Sequence, residues 1–302
     1  MNRNQFLALV RTARLPLAPS AVSNILLGAL CAGFTRGDAL PLAVLSLASV
    51  CFYCSGMAWN DFFDAAVDAV ERPDRPIPSG AVPRSWVGWF AGILMGMGIV
   101  LVWSLEWSRP AVGISGALAM ALVILILAYD SGGKKTPLGP VLMGSCRALN
   151  ILLGWSVVTG EIGPAGVFQG VAAGIFITGI TVMAKEEAGQ PERLSVVLGL
   201  CLSALGLVGV LLLPSFNAEG TTPWILPYLV FILGARLAIP GCAAVNSPSP
   251  ATVQKAVVTF LKSLIFLDTL SGIALAGWAG LWCLVCQVFS WALGKLPRQY
   301  FT

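Results

Sequence analysis

The segment Asn60-Asp61-Phe62-Phe63-Asp64-Ala65-Ala66-Val67-Asp68 is a run of oxygen ligands at helical spacing. On a continuous helix Asn60, Asp64 and Asp68 recur at i, i+4 and i+8. Their side chains then share one face, with Asp61 close in angle to Asp68. Hard oxygen donors on one ridge suit Mg²⁺, which keeps several waters and completes its octahedron with substrate phosphate oxygens. Such an ion neutralises a diphosphate leaving group and promotes ionisation of the carbon–oxygen bond. Without a cation, carboxylates this crowded repel one another. A solvated acidic helix end is the plain alternative. The ridge, however, begins directly after the apolar run Cys51–Trp59, at a bilayer boundary, where acids are costly and by default functional.

That boundary follows from composition. Of 302 residues, 57% are hydrophobic and 11% charged, with a mean hydropathy of +0.85, against about 25% charged in an ordinary soluble domain. A soluble fold of this size could not hide so much apolar surface, so much of it must face lipid. The 33 Gly and 19 Pro fit spanning helices, where small residues let backbones approach. The expected class is an all-α integral membrane protein. Candidate spans cover 17–34, 39–58, 86–104, 111–129, 139–159, 164–183, 194–213 and 224–243. A last stretch, 254–294, is either one long tilted helix or two short helices breaking near Ser271-Gly272. The total is nine spans, or ten with the break.

Basic residues sort by loop. Arg3, Arg11 and Arg14 precede the first span; Arg72, Arg75 and Arg84 follow the second; Lys134 and Lys135 follow the fourth; Lys185 and Arg193 follow the sixth. The intervening loops hold only Arg36 and Arg109. The positive-inside rule puts the N-terminus and these polar loops in the cytoplasm, as expected for a multi-pass protein of a bacterial inner membrane. Lys295 and Arg298 fit that rule only with ten spans. The N-terminal stretch lacks a short apolar region with a small-residue cleavage site, so no cleaved signal peptide is expected. A coarse repeat divides one domain, 1–302, into halves of about 1–130 and 131–302, each running a span into an acidic loop. The net charge of +4 is scattered through short loops and marks no nucleic-acid binder. With no His, a His-based zinc or haem site is impossible. Cys51/Cys54 and Cys283/Cys286 lie in apolar runs and read as small buried hydrophobes.

The motif Asn60-Asp61-x-x-Asp64-x-x-x-Asp68, followed by Arg72-Pro73-x-Arg75-Pro76-Ile77-Pro78-Ser79-Gly80, resembles the first motif of the UbiA-type intramembrane prenyltransferases. Tyr129-Asp130-Ser131, the Arg147/Asn150 segment and Ala184-Lys185-Glu186-Glu187-Ala188 look most similar to the EboC branch. The resemblance implies a UbiA-type bundle around a central cavity open to the cytoplasm and laterally to lipid. It also implies two aspartate-rich loops holding Mg²⁺ and a prenyl diphosphate. Asn60, Asp61, Asp64 and Asp68 would be metal ligands, with Asn60, Asp64 and Asp68 central to catalysis and Arg72 and Arg75 on the diphosphate. The second motif departs from the family pattern. Residues 184–192 contain no Asp and no acidic pair at i, i+4. Glu186 or Glu187 could hold a second ion, its longer side chain shifting the oxygen. Alternatively the site holds one ion, and Lys185 takes part of the diphosphate charge. A solvated loop is the plain alternative.

Lys134 and Lys135 sit on the glycine-rich loop Ser131-Gly132-Gly133 and can reach a diphosphate as point charges; topology alone would also explain them. Arg147 and Asn150, at i, i+3 inside the fifth span, read as a site-facing pair, the Arg meeting an acid or a phosphate; plain structural hydrogen bonding is the alternative. Asn24 could serve the site or the packing. Lys262 and Asp268, at i, i+6, lie on different faces and each needs its own partner. Phe52, Tyr53, Trp59, Phe62 and Phe63 could line a tunnel for an isoprenoid tail or cover a carbocation; an interfacial belt explains Trp59 equally well.

Two readings follow. The first is an Mg²⁺-dependent enzyme that moves a prenyl group from a prenyl diphosphate to a lipid-soluble or amphipathic acceptor, with membrane lipid around it and no obligatory protein partner. The second is a non-catalytic lipid or prenyl-lipid carrier on the same scaffold, supported by the altered second motif. A transporter is disfavoured, because the acids cluster at one face.

Overall fold

The computed structural model describes residues 2–108, 113–185, 191–217 and 220–295. Among them every regular element is helical: α1 (Arg3–Thr12), α2 (Pro19–Cys31), α3 (Ala39–Glu71), α4 (Arg84–Ser108), α5 (Ser115–Asp130), α6 (Gly139–Trp155), α7 (Pro164–Ala184), α8 (Arg193–Leu212), α9 (Leu226–Asn246), α10 (Pro250–Lys262), α11 (Leu264–Ala276) and α12 (Leu284–Gly294). The buried core falls into two main clusters. One is drawn from α2 to α6 and holds Ile25, Phe52, Val102 and Leu153. The other is drawn from α7 to α11 and holds Phe176, Leu233, Phe260 and Ile273. Large apolar side chains also cover the outside. Trp107 is 90% exposed, Phe231 75% and Ile239 76%, as expected of a surface solvated by lipid. Cys51, Cys54, Cys283 and Cys286 are free and buried.

By length and composition, six helical stretches among the described residues can cross a membrane, or seven with α1 and α2 taken as one crossing bent by 41°. That measure falls short of the nine or ten spans expected, because several helices are interrupted or short: α5 has 16 residues, α6 17 and α12 11. It also takes Leu264–Gly294 as a single stretch. The backbone does not run straight there. Gly277 adopts φ 57° and ψ −142°, a conformation in which a side chain is strained. The 3-10 turn after it folds back, so that a Cβ on Gly280 would land on the backbone of Gly272 and Ile273. In a straight helix residues eight apart are separated by about 12 Å. The break therefore lies at Gly277, with a second interruption at Ser263, and not at Ser271-Gly272, where the sequence suggested it. α12 then lies along α2: Ser290 Oγ donates to the Pro16 carbonyl (2.8 Å), and Cys283 packs with Leu27 and Ile151.

Glycine sets the closest helix approaches. A Cβ on Gly28 would collide with the backbone of Ile151 and Trp155, and one on Gly154 with the backbone of Ile25. Gly179 and Gly199 bring α7 and α8 together in the same way. With no hydrophobic drive between helices in lipid, such close van der Waals packing holds them.

The length of α3 positions the chemistry. It has 33 residues, about 50 Å at 1.5 Å per residue, whereas a hydrocarbon core is about 30 Å thick. Its first 21 residues, 39–59, already span that thickness, so Asn60 onward projects past it. The ends of other helices gather on the same side. Lys134, just after α5, reaches Asp64 on α3, and Lys185, at the end of α7, reaches the Thr136 carbonyl.

Candidate active site

At about 100° per residue, Asn60, Asp64, Asp68 and Asp61 lie within about 100° of α3's circumference. Each finds a partner from another segment. Asp61 Oδ1 accepts from Arg14 Nη2 (2.8 Å) and Arg75 Nη1 (3.2 Å). Asp64 Oδ2 accepts from Lys134 Nζ (2.6 Å). Asp68 Oδ2 accepts from Arg75 Nη1 (2.6 Å), and Arg72 Nη1 stands 3.9 Å from Asp68 Oδ1. Asn60 Nδ2 donates to Asp130 Oδ1 at the end of α5 (3.1 Å).

The local sequence explains each placement. The Pro-rich segment after α3 cannot continue the helix and turns Arg75 back under Asp61 and Asp68. The Lys134 turn, 133–135, closes directly after α5, and Lys135 lies in it. Between α1 and α2, Arg14 adopts φ 47° and ψ 46°, a left-handed conformation costly for a residue with a Cβ. Its guanidinium reaches Asp61 and, at 3.8 Å, Met57 Sδ. The carboxylates are shielded: the side chain of Asp68 is 3% exposed and that of Asp61 7%.

The second loop meets the same end, since Lys185 Nζ donates to the Thr136 carbonyl (2.7 Å). Glu186 and Glu187 lie outside the described residues. Trp59, Phe62 and Phe63 form a cluster beside the ridge, with ring centroids 5.2 to 5.6 Å apart. Arg84 caps it, stacked 4.3 Å from the Phe62 ring centroid and donating to the Phe62 carbonyl.

The residues expected from the fifth span go elsewhere. Arg147 Nη2 donates to Asp268 Oδ1 on α11 (2.7 Å). Asn150 Nδ2 donates to the Ala21 carbonyl (3.1 Å) and to Asn24 Oδ1 (3.4 Å), and Asn150 Oδ1 accepts from Ser49 (2.8 Å). These contacts bind α6 to α2, α3 and α11 in the bundle interior. Ser49 lies 11 residues before Asn60, about 16 Å along α3. Asp268 thus finds its own partner, and it is Arg147 rather than Lys262. Arg14 and Asp130 touch the ridge and were not assigned by sequence reasoning. Arg14 was visible only as a topology charge, and Asp130 only within a motif. Its place next to the last apolar turn of α5 was the available signal.

Among the described residues no group of three acidic or Cys side chains converges tightly enough to hold an ion by itself. The donor set nonetheless fits Mg²⁺: it is hard oxygen throughout, and the present partners of its three carboxylates are cations that phosphate oxygens could take over.

The UbiA prenyltransferase family profile matches residues 21–265. The chain is 33% identical over 130 residues to a digeranylgeranylglyceryl phosphate synthase of Thermococcus kodakarensis, covering 42% of this chain and 44% of that protein. A protein of the same name from Methanopyrus kandleri is 39% identical over 144 residues, covering 44% and 48%. One from Methanospirillum hungatei is 28% identical over 235 residues, covering 70% and 80%. The chain thus spans less than half the length of the first two relatives. A solved structure described as digeranylgeranylglyceryl phosphate synthase in membranes superposes with a TM-score of 0.66 at 19% identity, covering 91% of this chain and 99% of that one. A UbiA homolog from Aeropyrum pernix K1 superposes with a TM-score of 0.61 at 15% identity, covering 83% and 94%. These two show a shared fold. With the profile spanning most of the chain and the motif on a projecting helix end, this integral membrane protein belongs to the UbiA prenyltransferase family.

Proposed function

We propose that the protein transfers a prenyl group from a prenyl diphosphate to an acceptor dissolved in the bilayer, with Mg²⁺ at the α3 ridge. The observation that carries this reading is the charge-matched cradle. Asp61, Asp64 and Asp68 face Arg14, Arg72, Arg75 and Lys134, all at one end of the bundle. A magnesium diphosphate brings both signs of charge, so the carboxylates can turn to the ion and the cations to phosphate oxygens. Neither set is then left buried and unpaired, which would cost several kcal/mol.

In this reading Asn60, Asp61, Asp64 and Asp68 hold the ion, with Glu186 or Glu187 supplying the acidic side of the second loop. When bound, Mg²⁺ neutralises the leaving diphosphate. Arg14, Arg72, Arg75, Lys134, Lys135 and Lys185 orient the diphosphate by charge-assisted hydrogen bonds. The C1–O bond breaks and its electron pair leaves with the diphosphate. A lone pair or π bond of the acceptor then forms the new bond to C1, and the acceptor loses a proton. Trp59, Phe62 and Phe63 present aromatic faces to the allylic cation, and the lipid-embedded bundle keeps water from it. The relatives' name supports an acceptor of the glyceryl phosphate type. Arg147, Asn150 and Asn24 support this site by fixing α6 against α2, α3 and α11.

We also read ten crossings: α1–α2 as one, α3 to α9 as seven, α10–α11 as the ninth, and 277–294 as the tenth. The aspartate ridge then faces the cytoplasm of a bacterial inner membrane, and the halves 1–130 and 131–302 each contribute one acidic loop. The test is turnover of a radiolabelled prenyl diphosphate by the purified protein in lipid with a glyceryl phosphate lipid acceptor. Mg²⁺-dependent labelling of the acceptor is expected, with a loss on the order of 10²-fold in Asp64→Asn or Asp68→Asn. Binding of prenyl lipid indifferent to Mg²⁺, with no product, would instead establish the carrier.

A further inference from the structure

Arg236 stands near the middle of α9, ten residues before its last residue, Asn246. That is about 15 Å of helix, half the thickness of a hydrocarbon core. It is exposed on the outer face of the bundle, where an unneutralised charge is costly and calls for a function. Lys255, five residues into α10, is exposed beside it. Both line one groove of about 400 Å³ between α9 and α10. Neither has a carboxylate partner among the described residues. The Arg236 guanidinium lies 5.6 Å from the Phe266 ring centroid, a cation–π contact that satisfies none of its N–H donors.

The groove pairs these cations with an apolar wall of Ile239, Pro240 and Ala243. Pro240 sits inside α9 and has no N–H for the carbonyl four residues earlier, that of Arg236. The helix continues through Pro240, short of one backbone hydrogen bond where the groove runs. Thr259 lines the same groove. α7 ends beside the Lys134 turn, where Lys185 Nζ donates to the Thr136 carbonyl; α8 packs back along α7 and α9 along α8, so the α9–α10 turn shares a side with the aspartate ridge. Long basic side chains in such a place extend toward the nearer interface, where lipid phosphates lie.

We propose that the α9–α10 groove is a binding site for an anionic glycerophospholipid of the leaflet facing the aspartate ridge. Lys255 and Arg236 take its phosphate, and an acyl chain lies along Ile239, Pro240 and Ala243. Charge complementarity selects this occupant. Two cations without a carboxylate partner among the described residues, on a lipid-facing surface, fit a net-negative headgroup, and a zwitterionic one would bring its own cation against them.

The test is native mass spectrometry of the full-length protein released from nanodiscs of equal phosphatidylglycerol and phosphatidylcholine. Wild type should retain phosphatidylglycerol in preference to phosphatidylcholine. Arg236→Gln/Lys255→Gln should reduce that preference on the order of tenfold, the worth of about one charge-assisted hydrogen bond. Lys295→Gln, which removes an exposed cation at the end of α12, outside the groove, should leave it unchanged. A melting curve on each variant establishes that it is folded. Equal retention of both lipids by wild type, or full preference in the double variant, would overturn the assignment.

Discussion

Lys134 Nζ lies 2.6 Å from Asp64 Oδ2, across 70 residues of sequence. The contact joins the turn after α5 to the ridge on α3, the element proposed to bind the diphosphate to the one proposed to bind the metal. If the pair only stabilises the fold, exchanging its charges should restore function. If Asp64 is a metal ligand, exchange should restore the fold alone. Asp64→Lys/Lys134→Asp should recover thermal stability over either single variant, with a coupling of about 1 kcal/mol. Its turnover should stay on the order of 10²-fold below wild type. Recovery of turnover in the exchanged variant would remove Asp64 from the metal site.

The strained backbone of Arg14 makes a separable prediction. At φ 47° glycine is comfortable and glutamine is not. Arg14→Gly and Arg14→Gln both lose the ion pair with Asp61, so both should raise KM for the prenyl diphosphate. The Gly variant should nevertheless be about 1 kcal/mol more stable than the Gln variant. Thermal melts in one detergent give the comparison, and a Gln variant at least as stable as the Gly variant contradicts it.

The ridge, the lipid-embedded helical class and the placement of Arg75 and Lys134 beside the ridge were legible in the sequence for different reasons. The spacing of Asn60, Asp64 and Asp68 is a helical period, and that local geometry survives folding. Arg72 and Arg75 lie only a few residues past Asp68, so chain connectivity alone keeps them near. Arg14 is different: it reaches Asp61 through a bend between α1 and α2 that no local pattern encodes. Arg147 and Asn150 show the converse. Their spacing puts them about 60° apart on one face of α6, but that face packs against several helices, so Arg147 meets Asp268 on α11 while Asn150 meets Ala21, Asn24 and Ser49 on α2 and α3. The reversal at Gly277 was hidden because an apolar run looks the same whether it crosses once or folds back.

Packing between α2 and α6 should be intolerant of a single methyl. Gly28→Ala or Gly154→Ala must push backbone from backbone and should cost about 1–3 kcal/mol. Both should also disturb Asn24 and Asn150 beside the contact. Gly92 on α4 has open space around its Cβ position, so Gly92→Ala should be neutral or slightly stabilising. Denaturation in mixed micelles orders the three variants, and a Gly28→Ala protein as stable as Gly92→Ala would contradict the close approach.

The Arg147–Asp268 pair is buried, its side chains 8% and 1% exposed. Asp268→Asn leaves a charge without its counter-ion and should destabilise by about 3–5 kcal/mol. Arg147→Met/Asp268→Leu should regain most of that loss. In the recovered double variant KM for the prenyl diphosphate should remain near wild type, because the pair lies away from the ridge. A large rise in KM in a stable double variant would move Arg147 to the diphosphate.

The last prediction concerns the reversal at Gly277, which decides where the chain ends relative to the membrane. Asn217 Nδ2 and Thr222 Oγ1 both donate to the Ala274 carbonyl (3.3 and 2.7 Å), so the end of α11 meets the loop between α8 and α9. Ser290 meets Pro16, next to Arg14 and the ridge. The segment 277–294 therefore runs from one end of the bundle to the other. Seven residues of 3-10 helix at about 2 Å each and 11 of α-helix at about 1.5 Å each make about 30 Å, enough to cross. With ten crossings Lys295 shares a side with Ser79 and Gly132, and the positive-inside rule is satisfied at both termini. With nine it lies with Asn217. Single cysteines at these four positions in a cysteine-free background, labelled by an impermeant maleimide in sealed vesicles, separate the two. Lys295→Cys should react from the side that labels Ser79→Cys and Gly132→Cys, and Asn217→Cys from the other. Reaction of Lys295→Cys with the Asn217→Cys side would reduce the fold to nine crossings and leave the C-terminal charges outside.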